Sequence, residues 1–209
     1  MKRFYTNNLF IVLLSLFVSV SVTGQISQGG LPRSFETALQ GGYEEVILAS
    51  PDVDKLLEED FENASQGIPY RNGVSIIVDR SVDNSGTWQT LEDGTKVWRL
   101  KLTSSGARGL AVYYDQFWLP AGGELFLYNE YKDQVIGAFT EFNNSENSLF
   151  ATEYVQGESV TLEYNAPSWV LEDPVINISE VAYGYKGVSF LFGDNYSEDF
   201  GDSWWCHIN

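Results

Sequence analysis

The sequence predicts a mainly β protein: an antiparallel β-sandwich or jelly-roll-like domain, with a short N-terminal helix before it and an irregular acidic C-terminal tail after it. Three observations predict this. Short β-type segments recur from Tyr70 to Tyr185 at roughly 8–12-residue spacing. Gly, Asn, Asp and Pro separate them, as in Asp83-Asn84-Ser85-Gly86, Asp93-Gly94 and Pro120-Ala121-Gly122-Gly123. Strands and helices do not alternate, which argues against a parallel α/β design.

The N-terminus reads as an export signal. Lys2 and Arg3 form a basic start, residues 9–22 are apolar with interspersed serines, and Val22-Thr23-Gly24 offers small residues for cleavage before Gln25. The apolar stretch is shorter than the roughly 20 residues a spanning helix needs. Residues 1–24 are therefore expected to be a signal peptide, and the protein to be secreted.

Residues 25–69 form a leader with one helix. Within residues 51–64, Val53, Leu56, Leu57 and Phe61 make a helical stripe, and the acidic start suits the positive end of the helix dipole. Residues 46–48 are expected either to pair as a short strand or to dock on the core. The sandwich is expected over residues 70–186. Its strands are placed at 74–79, 87–91, 97–102, 109–119, 124–129, 135–140, 149–154, 159–164 and 175–185. Asp93-Gly94 is a strong hairpin signal. Along 97–102, Trp98, Leu100 and Leu102 share one face, and Val97, Arg99 and Lys101 the other. Residues 187–209 contain no Lys or Arg and are expected to be an acidic linker.

The formal charge is −17, and loss of Lys2 and Arg3 with the signal takes it to −19. Such an acid excess repels phosphate backbones, so no nucleic-acid partner is expected, nor a membrane once the signal is removed. The excess serves either solubility or an acidic binding surface.

Little catalytic chemistry is legible. A Ser-His-Asp system needs a histidine set between acid and serine, and the sole histidine, His207, stands two residues from the end. One Cys and one His do not make a zinc site. Asp79, Asp83, Asp93 and Asp115 near turns are oxygen donors suited to calcium, or are simply solvated. No phosphate loop or dinucleotide turn occurs. No cofactor or metal is expected, and no catalytic residue is assigned. A carboxylate-pair hydrolase stays open because acidic residues are so many. Trp88, Trp98, Trp118, Trp169, Tyr113, Tyr114, Phe117 and Tyr128 serve either a sugar-binding face or the inter-sheet core. A free-standing carbohydrate- or protein-binding module is accordingly the alternative reading. Cys206 is unpaired within the chain, which suggests pairing outside it. Trp204 and Trp205, adjacent in a polar tail, are expected to dock on something beyond Asn209.

One block carries a resemblance. It includes Val97-Trp98-Arg99-Leu100-Lys101-Leu102, the run from Gly109 through Trp118-Leu119-Pro120-Ala121-Gly122-Gly123 to Asn129, Val135-Ile136-Gly137-Ala138-Phe139, Phe150-Ala151-Thr152, residues 157–164, and Ile178-Ser179-Glu180-Val181-Ala182-Tyr183. The block resembles the N-terminal pro-region of secreted bacterial lysyl-endopeptidase-type serine proteases, which have a trypsin fold. The tail, with Cys206-His207-Ile208-Asn209, is similar to the start of the mature protease in that family. The resemblance implies a non-catalytic pro-region cut off where the catalytic domain begins. It implies that Cys206 is half of an interdomain disulfide and that Trp204 and Trp205 are interdomain contacts. The implied partner is a cognate serine protease domain in cis, which the pro-region helps fold or keeps latent. Lys186 is the last basic residue before Cys206, so Lys186-Gly187 is a candidate processing site. A strand-end lysine of no special role, or cutting near Gly201, is the other reading.

Overall fold

The structure is a computed structural model, and it describes residues 27–186 apart from residue 40. The elements run α1 (Arg33–Glu36), β1 (Glu44–Ile47), α2 (Val53–Ser65), β2 (Gly73–Ser81), β3 (Thr87–Thr90), β4 (Lys96–Thr103), β5 (Gly109–Trp118), β6 (Glu124–Tyr128) and β7 (Val135–Phe139). A 3-10 turn (Glu141–Asn143), β8 (Phe150–Ala151), β9 (Val155–Gln156), β10 (Ser159–Ala166) and β11 (Val175–Gly184) follow. The mainly β, antiparallel architecture expected from the sequence is the one observed. One six-stranded sheet has the order β1-β4-β10-β6-β7 with β3 also on β4; one five-stranded sheet has the order β2-β11-β5-β8 with β9 also on β5. The exception to antiparallel pairing is β1, which runs parallel to β4.

Local chemistry explains the elements. Asp52 caps α2, its side chain accepting a hydrogen bond from Lys55 N at 3.1 Å. Asp93-Gly94 turns β3 into β4: Gly94 N donates to Leu91 O, and the Asp93 carboxylate accepts from Thr95 N. Gly94 has φ +82°, a conformation glycine adopts at no steric cost. In β4, Trp98, Leu100 and Leu102 are fully buried, and they join Leu110, Val112, Tyr114 and Phe117 of β5 and Ile176, Ile178 and Val181 of β11 in one core. Of the strand expected over 149–154 only Phe150–Ala151 (β8) is extended and paired, and a second short piece, β9, lies just past it at Val155–Gln156. Each pairs with only two residues of β5.

The second face of β4 is not a solvent face. Val97 and Arg99 are buried too, and all eight residues of β10 are buried. The leader covers them. Phe35 packs edge-on against Tyr128 at 4.8 Å, and the Arg99 guanidinium lies 4.3 Å over the Tyr43 ring. Glu163, fully buried on β10, accepts hydrogen bonds from Ser34 N at 2.9 Å and from Tyr128 Oη at 3.0 Å. Burial, and then the Glu163 charge, push the Tyr128 phenol up, so it stays a donor. Further out, Gln28 and Gly29 hydrogen-bond to Ala138 and Gly137 on β7, extending that sheet edge.

Candidate functional site

The end of β11 is tied to the rest of the domain by a dense set of polar contacts. Strand β11 ends at Gly184, and the amides of Tyr185 and Lys186 both donate to Asn72 O, at 3.1 and 3.3 Å. Two side chains then fold back onto α2. Lys186 Nζ lies 2.6 Å from Asp60 Oδ2, and Tyr185 Oη donates to the same oxygen at 2.5 Å. Arg71 Nε reaches Asp60 Oδ1 at 2.5 Å and Tyr185 Oη at 3.0 Å. Arg71 Nη2 is 2.8 Å from Glu59 Oε2 and donates to Leu56 O at 3.2 Å. The Lys186 ammonium also sits 4.2 Å over the Tyr70 ring.

Helix periodicity puts Asp60 at the centre of this clasp. Val53 and Leu56 pack against the core, and Asp60 follows Leu56 by four residues on the same face. The inward line is therefore Val53-Leu56-Asp60. Leu57 and Phe61, assigned to the apolar stripe from sequence, are 45% and 81% exposed. Burial alone would raise the Asp60 carboxyl; hydrogen bonds from Lys186, Tyr185 and Arg71 outweigh it and hold the group below the usual carboxylate range. Burial and the bond to Asp60 push the Tyr185 phenol up to about 12. The hydrogen bond to Glu59 leads the interactions that raise Arg71. With its pKa held low, the Asp60 carboxylate stays charged across ordinary pH, held by Arg71, Lys186 and the Tyr185 phenol.

Lys186, picked from sequence as a candidate processing residue, is therefore an anchored side chain, 15% exposed, rather than a projecting one. Its partner Gly187, and Trp204, Trp205, Cys206 and His207, lie outside the described residues. Asp60, Arg71 and Tyr185 were not singled out from sequence. The available signal was the spacing of Asp60 from Val53 and Leu56.

The aromatic residues divide. Trp98, Tyr114, Phe117 and Tyr128 are buried, whereas Trp88, Tyr113, Trp118 and Trp169 are 40%, 40%, 38% and 66% exposed. The exposed ones sit on β3, on β5 and in the loop before β11. Of the aspartates considered for calcium, Asp93 is engaged by Arg33 and Thr95, and Asp115 accepts from Asn177 Nδ2 at 2.6 Å. Among the described residues no group of three or more His, Cys, Asp or Glu is placed to hold a metal ion. Nor, among the described residues, is any helix long and apolar enough to cross a membrane.

Fold and site together define a two-sheet β domain in which a polar cluster ties the end of β11 to α2. The family model for the lysyl endopeptidase N-terminal domain matches residues 48–183, from the residue after β1 to the penultimate residue of β11. The chain belongs to that family, and the match supports an N-terminal pro-region of lysyl-endopeptidase-type proteases.

Proposed function

We propose that the chain acts as the pro-region of a secreted serine endopeptidase, aiding the folding of its protease domain and keeping it latent until cleavage. The observation that carries this reading is the family match over residues 48–183. The proposed organisation is a signal peptide over residues 1–24, a leader over 25–69, a sandwich over 70–186, and a junction over 187–209 leading into the protease domain. A tethered domain that binds the native-like protease stabilises it by mass action at high effective concentration. An acidic pro-region suits a basic protease surface, since complementary potentials speed encounter.

Processing is proposed at Lys186-Gly187, with Cys206, Trp204 and Trp205 on the protease side. The clasp gives that site a gate. A lysine-specific protease must draw the ammonium into its own pocket, and here Asp60, Tyr70 and Tyr185 already hold it. Cleavage then waits until α2 lifts away.

The test is refolding in trans. The denatured protease domain of the same precursor is diluted into buffer with and without this chain, and active enzyme is titrated. The expected result is a higher folded yield with activity suppressed until the pro-region is digested. Equal yields together with unsuppressed activity would refute both roles. N-terminal sequencing of the mature enzyme places the cut, and a start distant from Gly187 rejects the processing proposal.

A further inference from the structure

Helix α2 presents an apolar outer face that nothing among the described residues covers. Leu57 and Phe61, four residues apart, are 45% and 81% exposed; Ala64 continues the same line, and Ile68, just past the helix, is 47% exposed. A soluble domain rarely spends an amphipathic helix this way, with its larger apolar residues outward and a charged one inward.

The chain itself supplies a matching segment. Lys186 is fixed to Asp60, the residue just before Phe61, by the 2.6 Å ion pair. Two residues beyond Lys186 the sequence reads Val188-Ser189-Phe190-Leu191-Phe192, and then Gly193-Asp194. We propose that residues 188–192 dock as an apolar strap along the Leu57-Phe61-Ala64 face of α2. The segment is long enough: five extended residues reach about 16 Å at ~3.3 Å each, more than the about 10 Å from Leu57 to Ala64 at ~1.5 Å per residue. Charge disfavours a second copy as occupant, because α2 carries Asp54, Glu58, Glu59, Asp60 and Glu62, and pairing would bring two such helices together. The strap has no charge to repel, and its tether to Lys186 gives it a high local concentration. In the processing scheme above, the docked strap would hold the far side of the Lys186-Gly187 bond as the clasp holds the near side. That consequence rests on the processing proposal; the docking does not.

The experiment is disulfide trapping in this chain, with Cys206→Ser as background. Leu57→Cys with Phe190→Cys is compared with Glu92→Cys with Phe190→Cys, Glu92 being exposed on the β3–β4 turn. Mild oxidation is expected to close the first pair at least about tenfold faster than the second, as a local concentration in the millimolar range implies. Amide exchange of α2 is followed in parallel in wild type and in Phe190→Ser with Phe192→Ser; the double variant is expected to lose protection there by about fivefold or more. Equal trapping rates overturn the docking. So does unchanged exchange in α2, which would leave the face to the protease domain. Migration of the cut site in the mature enzyme would remove the processing consequence while leaving trapping and exchange unaffected.

Discussion

Asp60→Asn removes the charge at the centre of the exit clasp while preserving its shape. The carboxylate accepts from Lys186, Tyr185 and Arg71 at 2.6, 2.5 and 2.5 Å, and its side chain is only 11% exposed. Arg71 keeps Glu59 and Leu56 O after the change. Lys186 does not fare as well, since Asp60 is its sole ion-pair partner among the described residues. Breaking a fully buried pair costs about 3–5 kcal/mol; the remaining exposure and the retained Arg71 contacts bring the expected loss to about 2–3 kcal/mol. For a domain of this size that lowers Tm by about 5–10 °C. The assay is thermal unfolding followed by near-ultraviolet circular dichroism, with Lys186→Met and the double variant completing a cycle. The coupling is expected to be at least about 1 kcal/mol. The pH dependence has a definite sign. The folded carboxyl sits below its unfolded value, so its contribution is complete above the ordinary Asp pKa of about 4 and is lost as pH falls through the folded pKa. The gap between wild type and Asp60→Asn is thus constant near neutrality and closes in acid. A Tm change under about 2 °C, or a gap that closes between neutral and alkaline pH instead, would refute this account of the clasp.

Other expected outcomes test the sandwich itself. Gly86 has φ +83°, and a Cβ there would stand 2.2 Å from Nε1 of Trp98, which is fully buried and donates to Ser85 O. Gly86→Ala is expected to cost upwards of about 3 kcal/mol in chemical denaturation. Gly122→Ala creates an equally close approach to Trp169, but that ring is 66% exposed and swings away, so about 1–2 kcal/mol is expected. Equal costs at the two glycines would contradict the packing argument. Glu163→Ala strands Ser34 N and leaves Tyr128 Oη with only the 3.3 Å contact to Ser34 Oγ, and is expected to cost about 2–4 kcal/mol while amide protection across residues 33–44 falls first. Hydrogen exchange by mass spectrometry measures it, and uniform loss across the whole domain would argue against local anchoring.

Most of the fold was legible because sandwich strands announce themselves by period and punctuation. The run Trp98-Leu100-Leu102 named one wall of the core directly. Where the reading fell short, a tertiary contact decided the outcome. Arg99 on β4 carries every sequence mark of a solvent face, yet it is 6% exposed because the leader runs over it. The leader's own sequence gives little warning, since its contacts are single residues, Ser34, Phe35 and Tyr43, without periodicity. Strand β1 pairs parallel to β4 across more than fifty residues, a partnership that no local pattern encodes. At the 150s, Thr152 turns its hydroxyl to Val112 N, and the ladder on β5 breaks into β8 and β9.

The exit was half legible for a different reason. Lys186 stood out by isolation, as the last cation before a long acidic stretch. Its environment depended on which side of α2 faces the sheet, and the sequence offers two overlapping lines: Val53-Leu56-Asp60, and Leu57-Phe61. Hydrophobicity alone selects the line that includes Phe61. The structure selects the line that includes Asp60, because Arg71, Tyr185 and Lys186 together supply three donors at that spot and turn a costly buried carboxylate into a paired one. With Val53 and Leu56 packed inward on the same line as Asp60, Leu57 and Phe61 are left on the outer face. One electrostatic preference at the domain exit thus fixes both the anchorage of Lys186 and the existence of an apolar face beside it. Asp60→Asn with Arg71→Met and Lys186→Met, by removing the preference without adding an apolar side chain to the inward line, should allow α2 to roll and bury Phe61.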